Sequence, residues 1–431
     1  MSKIIEDEQH NPFNATLFTL ANTATTGHFI AEQKRCLVDG SHPTPHQKSN
    51  PTRPHMNRSS AILVAAVFSL SACGPVKTSP TQPAHGQFTP SAITETMRKV
   101  ADWQIGSWST NGFAKPKYNW TYCAAYTGIF QAGLATGDGK YHDFLRKVGA
   151  DLQWRTGKRR YFADDYCVGQ VFSQLYAQDR QPEMIAPWRT LADEIVGKPN
   201  NESLSLATHD IIEREWAWCD ALFMGPTSLA YLSTVTGDRK YLDTALKLWW
   251  KTSDFLYSPE ERLYFRDESY FDKREKNGKK VFWSRGNGWV MAGMVRVLSN
   301  MPPDHPDRAR LLAQYRAMAA RIAGLQTADG TWHASLLDPG SFPTRETSGT
   351  AFYTYAILWG LNSGMLDRAT YWPVVERAWP ALASAVQPDG KLGYVQPVGA
   401  APDKVDANST ETYGPGAFLL AGSELLEYIK R

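Results

Sequence analysis

An all-α architecture, an (α/α)6 barrel of six helical hairpins, is the fold class that this 431-residue chain predicts. Three observations carry it. From about Thr89 onward, apolar residues recur at i, i+3, i+4 and i+7, with little alternation of period two. A weak internal repeat is present: "ATGDGKYHDFLRKV" from Ala135 and "VTGDRKYLDTALKL" from Val235 each read as a helix end, a Gly-Asp turn and a new helix start. The Gly supplies a left-handed cap and the Asp caps the next helix. Units of this kind recur at roughly fifty-residue spacing, a solenoid or toroid period. The pattern marks helices near residues 91–106, 120–136, 140–156, 166–178, 183–197, 219–236, 240–256, 288–300, 307–325, 349–363, 371–386 and 415–430. Twelve helices in antiparallel pairs close into a ring of six hairpins. An open α-solenoid is the alternative, but the apolar last helix, "GAFLLAGSELLEYI", lacks the polar outer face of a capping repeat, which favours closure.

The segments ahead of the helices read differently. Residues 1–55 show no sustained period, are rich in Pro, Asn, Thr, Ser and His, and are expected to be unstructured, with Met56 as the natural start. Residues 56–73 read "MNRSSAILVAAVFSLSAC": Met56 and Arg58 make a short, weakly positive start, and the apolar run Ala61 to Leu70 is too short to span a bilayer comfortably. Leu70-Ser71-Ala72-Cys73 resembles the lipobox of bacterial lipoproteins, in which the chain is cut before the Cys and the Cys is lipidated. A buried helix turn is the competing reading, but residues 74–90, rich in Pro, Thr and Ser, suit a tether. The resemblance implies membrane attachment through a lipid on Cys73 and a place in the bacterial cell envelope, periplasmic or at the outer membrane. Residues 91–431 are expected to form one (α/α)6 domain.

Composition narrows the function. A formal charge of +3, with no Lys/Arg block resembling a phosphate-binding stripe, gives no case for nucleic acid. Aromatic residues make up 12% of the chain, including 15 Trp, and much of that surplus must be core. Trp faces also stack on sugar rings, which favours a carbohydrate ligand. The five cysteines form no CxxC pair, and those of the helical domain read as small core residues. There is no HExxH and no acidic calcium loop, so no metal or other cofactor is expected.

The starts of alternate helices collect the chemistry. They read "KYNWTYC" (117–123), "DDYCVGQ" (164–170), "WCDALFMG" (218–225), "SRGNGW" (284–289), "RETSGTA" (345–351) and "ETYGPGA" (411–417). In a ring of hairpins these belong to the inner helices and lie at one end, where the helix dipoles make the mouth favourable to anions. Each motif has a plainer reading: Asp164, Asp165 and Asp220 as helix caps, Arg285 as an ion-pair partner, Trp283 and Trp289 as core. Their coincidence at equivalent repeat positions is what core packing does not require. Asp165 and Asp220 across a cavity would raise one another's pKa, and apolar walls from Trp218, Phe223 and Met224 would raise it further. A carboxyl kept protonated near neutral pH suits a general acid.

Five motifs in order, "DDYCVGQ", "WCDALFMG", "WSRGNGW", "ETSGTAF" and "YGPGAFLLAGSEL", resemble the unsaturated rhamnogalacturonyl hydrolases, glycoside hydrolase family 105, from about Ala92 to the C-terminus. The resemblance implies an (α/α)6 barrel that removes an unsaturated uronic acid from the non-reducing end of an oligosaccharide left by a polysaccharide lyase. It implies Asp220 as general acid/base and Asp165 as the second acid. His209 would be a site histidine, and Tyr118, Trp283, Arg285 and Trp289 would contact substrate, with Arg285 or backbone amides holding the uronate carboxylate. "WCDALFM" departs from the commoner motif, with Val or Leu before the Asp and Gly after it, and resembles a subgroup with more varied targets, so ulvan-type chains stand beside rhamnogalacturonan as substrates. An inverting exo-glycosidase with Asp165 as base, and a non-catalytic sugar-binding lipoprotein, are the competing functions. A sugar epimerase on the same barrel is disfavoured, because it normally needs paired histidines.

Overall fold

The computed structural model describes residues 85–199, 202–206 and 215–431. Cys73, the segments 1–55 and 56–73, and His209 lie outside the described residues. The helices are α1 (Pro90–Asn111), α2 (Trp120–Thr136), α3 (Gly139–Asp151), α4 (Gly169–Asp179), α5 (Ala186–Gly197) and α6 (Ala221–Thr236) in the first half of the domain. α7 (Arg239–Leu256), α8 (Ser284–Asn300), α9 (Arg308–Ala323), α10 (Thr347–Asn362), α11 (Arg368–Ala383) and α12 (Tyr413–Lys430) follow.

Two kinds of helix alternate. α2, α6 and α10 are buried around nearly their whole circumference, whereas α3 and α7 bury one stripe and expose the other. A helix apolar on every side must be surrounded, and one with a single apolar stripe belongs outside. The inner helices follow one another as neighbours, α2–α4–α6–α8–α10–α12, and α12 packs back on α2. The ring is therefore closed, as an (α/α)6 barrel requires. Its seam is tight: a Cβ on Gly128 of α2 would fall 2.2 Å from the carbonyl oxygen of Gly416 in α12, so only glycine allows this crossing.

The repeated Gly-Asp turn works as the sequence implies after α6, where Gly237 (φ 72°) ends the helix and the Asp238 carboxylate accepts the Lys240 N–H at 3.2 Å. Its counterpart differs: Gly137 is left-handed (φ 75°), but Asp138 caps nothing and pairs with Arg98 at 2.7 Å instead.

Long connections rise over the barrel end from which the inner helices start. One carries the antiparallel pair β1 (Tyr257–Ser258) and β2 (Leu263–Tyr264), with Tyr257 opposite Tyr264. Another carries β3 (Trp332–His333) and β4 (Arg345–Glu346), with Trp332 opposite Glu346. Several boundaries differ from the sequence reading, among them the end of α1, which runs on to Asn111. α3 stops at Asp151, because Gln153 and Trp154 turn left-handed with no glycine to announce it. A short 3-10 turn, Ala163–Tyr166, precedes α4. α8 starts at Ser284 despite two early glycines, since the Asn287 side chain ties it to both main-chain groups of Tyr264 at 2.7 and 3.0 Å.

Candidate active site

The starts of the inner helices converge. Trp120, at the head of α2, stacks on Tyr413 at the head of α12 with ring centres 5.5 Å apart. Trp289 of α8 packs between them and Phe223 and Phe352, at 4.9 and 4.3 Å from the last two rings. An aromatic floor thus lies beneath the converging helix heads. Trp289 is fully buried, so it belongs to that floor, whereas Trp120 is partly exposed. Tyr118, on the loop before α2, is also partly exposed.

Asp220 occupies the cap position of α6, yet its carboxylate makes no capping hydrogen bond. That removes the plain reading of this residue as a helix cap. Among the described residues the Cys219 thiol donates to it at 3.4 Å. Burial pushes the Asp220 carboxyl above the usual carboxylate range, against the opposing pull of the Arg266 and Arg285 guanidinium groups. Its side chain nevertheless keeps partial access to solvent. A carboxyl that is desolvated, uncapped and still reachable has the properties of a proton donor rather than of a structural group.

The neighbouring acid is Asp164. Burial, and then the charge of Asp220 and Asp165, push its carboxyl up to about 8, and no hydrogen bond holds it among the described residues. Asp165, which the sequence reading pairs with Asp220, is turned instead onto Arg159, which it grips at 2.6 and 3.1 Å. Adjacent residues of a 3-10 turn point their side chains in different directions, and the motif "DD" alone does not say which one faces the cavity. The two acid-bearing segments are tied together. The Trp216 Nε1–H donates to the Tyr166 hydroxyl at 2.6 Å, with Trp216 itself in a left-handed conformation at φ 60°. Strain of this kind concentrates at functional segments.

Arg285 is wholly buried, and its terminal nitrogens donate to the Gln396 and Pro397 carbonyls at 2.8 and 2.9 Å. It lies across the Trp283 and Tyr413 rings at 4.3 and 4.8 Å. Among the described residues its Nε has no partner, so two of its five N–H donors go to the main chain and three are left for a ligand. Trp283 is buried too and donates to the Gln396 side chain at 2.9 Å. Arg266, which sequence reasoning missed, is the partly exposed cation whose charge acts on both Asp220 and Asp164. It follows β2, its carbonyl accepts the Cys219 N–H at 2.8 Å, and it pairs with Asp267. No helix pattern marks it; a long-range β excursion delivers it. Trp120 lay within the quoted "KYNWTYC" and was findable as the aromatic nearest the helix start.

A carboxyl pushed up by burial beside a second carboxyl, a nearby arginine and an aromatic floor define an acid–base enzyme acting on a sugar, a glycoside hydrolase on an (α/α)6 barrel. The chain belongs to Glycosyl Hydrolase Family 88, whose family model matches residues 96–429. It is 37% identical over 349 residues to an unsaturated 3S-rhamnoglycuronyl hydrolase of Formosa agariphila, covering 78% of this chain and 91% of the relative. A protein of the same name from Alteromonas sp. is 34% identical over 362 residues, covering 79% and 88%. A solved glycosyl hydrolase family 88 structure from Bacteroides vulgatus superposes with a TM-score of 0.71 at 31% identity, over 79% of this chain and 99% of that one.

Proposed function

We propose that this enzyme removes a 4,5-unsaturated uronic acid from the non-reducing end of lyase-generated oligosaccharides by hydrating the C4=C5 double bond. The substrates are of the sulfated, rhamnose-containing type named in its relatives. The observation that carries the reading is the state of Asp220: uncapped, pushed up by burial, and set beside Asp164. The substrate ring is an enol ether conjugated to its carboxylate. Asp220 protonates C4, which leaves an oxocarbenium-like centre at C5. Water adds at C5 and gives its proton back to the Asp220 carboxylate. The resulting hemiketal opens and expels the aglycone without attack at the anomeric carbon, unlike the two-carboxylate route. Asp164 assists by keeping a proton in the pair, and Arg266 offers charge to the uronate carboxylate. Tyr118, Trp120 and His209 are further substrate contacts in this reading.

The test is incubation with lyase products while the ultraviolet absorbance of the conjugated double bond is followed. Loss of absorbance with release of the second sugar supports the reading. An inverting glycosidase would release saturated sugars at comparable rate, and a binding protein would bind without product. The same reading includes a lipid anchor on Cys73 and a place in the cell envelope, supported by the Leu70-Ser71-Ala72-Cys73 motif. Detergent-phase partitioning that Cys73→Ala fails to abolish would refute it.

A further inference from the structure

A basic segment, Arg155-Thr156-Gly157-Lys158-Arg159-Arg160, leads from α3 into the turn that carries Asp164. The reaction above gives its cations no task. The chain path there is imposed rather than relaxed. Gln153 and Trp154 are left-handed at φ 51° and 56°, conformations that non-glycine residues keep only where their surroundings enforce them.

Asp165 is the hub of this segment. Its carboxylate accepts the Arg159 main-chain N–H at 3.0 Å and the guanidinium through Nε at 3.1 Å and Nη2 at 2.6 Å. Its carbonyl accepts the Gly157 N–H at 2.7 Å. A Cβ on Gly157 would lie 2.4 Å from the Asp165 carboxyl carbon, so the turn closes only around glycine. The Phe162 ring lies under the guanidinium, 4.0 Å away, and packs in turn on Trp218 at 5.2 Å, two residues ahead of Asp220. Held by Asp165, the residue after Asp164, and joined to Trp218 through Phe162, Arg159 lies beside the catalytic cavity. Yet the Arg159 side chain is 56% exposed, against 7% for Asp165. The grip uses Nε and Nη2 and leaves Nη1 with no hydrogen-bond partner among the described residues.

The buried Asp165 carboxylate needs a counter-charge, but that need does not explain a strained turn and a ring that hold the guanidinium with one edge open to solvent. A fixed guanidinium with an open edge is what recognition of a multi-oxygen anion needs. We propose that Arg159, held by Asp165 and flanked by Lys158 and Arg155, binds a sulfate ester on the sugar that adjoins the cleaved uronic acid. Asp165 is in this account a positioning residue, acting through Arg159. The inference rests on the unsaturated-uronyl reading, because the uronate must occupy the Asp220 end of the cavity for its neighbour to meet the rim.

The experiment measures kcat/KM for an unsaturated sulfated disaccharide and for its chemically desulfated twin, at low and moderate salt. The intact enzyme should favour the sulfated form by about 10-fold or more, as hydrogen bonds to a charged group allow. Arg159→Gln should bring that ratio close to one through a rise in KM for the sulfated substrate. Asp165→Asn should lower the ratio in part, although Asp165 does not touch the sugar. The double variant Arg155→Gln/Lys158→Gln, on exposed positions that do not build the turn, should weaken both the preference and its salt dependence. Equal kcat/KM for the two substrates in the intact enzyme, or a preference that survives in Arg159→Gln, would overturn the proposal while leaving the uronyl reading in place. Turnover of neither substrate by the intact enzyme would overturn both.

Discussion

Asp220 and Asp164 are two carboxyls in one desolvated cavity, and such groups titrate as a pair. Asp220→Asn keeps the shape of the side chain but cannot deliver a proton, so turnover should fall by about 100-fold or more with the fold and the melting temperature retained. Near wild-type kcat in the purified variant would mean that the acid lies elsewhere. The neighbours set the pH range. The charge of Asp220 raises the Asp164 pKa, and by reciprocity an ionised Asp164 raises that of Asp220. Asp164→Asn should move the alkaline limb of the kcat/KM profile to lower pH. Arg266 opposes the elevation of Asp220, so Arg266→Gln should move the same limb to higher pH. Shifts of the same sign in both variants would contradict this arrangement. Stability follows the same proton. The Asp164 carboxyl, pushed up to about 8, holds in the folded chain a proton that the unfolded chain releases near about pH 4. That contribution is full below the unfolded value and is lost as pH rises through the folded one. Asp164→Asn has no such loss, so its melting temperature should exceed that of the wild type at pH ~9 and match it near about pH 4.

At the scale of single elements, one buried carboxylate organises the mouth without joining the chemistry. Glu346 caps α10 by accepting the Ser348 and Gly349 N–H groups at 3.0 and 2.7 Å, and it also takes the Gln396 N–H at 3.1 Å. Gln396 in turn receives Arg285 and Trp283. Glu346→Ala strands several buried donors and should cost about 2–3 kcal/mol in denaturant titration. A smaller loss would mean that water replaces the cap. The helices themselves were legible, because burial on all sides and burial on one stripe leave different apolar periods. What escaped were features that periodicity does not encode. The left-handed pair Gln153–Trp154 carries no glycine, so the apolar period runs on past the true end of α3. The choice between Asp164 and Asp165 depends on which carboxyl Arg159 captures, a contact set by a loop. Arg266 comes in just after a two-residue strand, too short to leave a pattern. The motif of Arg285 is specific, but no motif encodes that two of its donors are anchored on the carbonyls of residues 396 and 397.

For the whole molecule, closure of the ring is the property on which the site depends, since each inner helix contributes one part of the mouth. The seam between α2 and α12 has no room for a side chain: a Cβ on Gly416 would meet the Ala124 carbonyl oxygen at 2.3 Å. Gly416→Ala has to push the helices apart and should cost about 3 kcal/mol, seen as a lower denaturation midpoint together with loss of activity. Unchanged stability would show that the barrel breathes at this seam and that closure is not what fixes the mouth. Trp120 and Tyr413 stack directly above it, so the variant should also weaken substrate binding. The central claim is that Asp220 hydrates a double bond by protonating C4. Turnover of an unsaturated oligosaccharide in heavy water, with the product read by nuclear magnetic resonance, tests it most directly. The account predicts loss of the conjugated absorbance together with one deuterium at C4, because the proton comes from an exchangeable carboxyl. Product carrying only protium at C4, or a saturated sugar released at comparable rate with no change in absorbance, would contradict it.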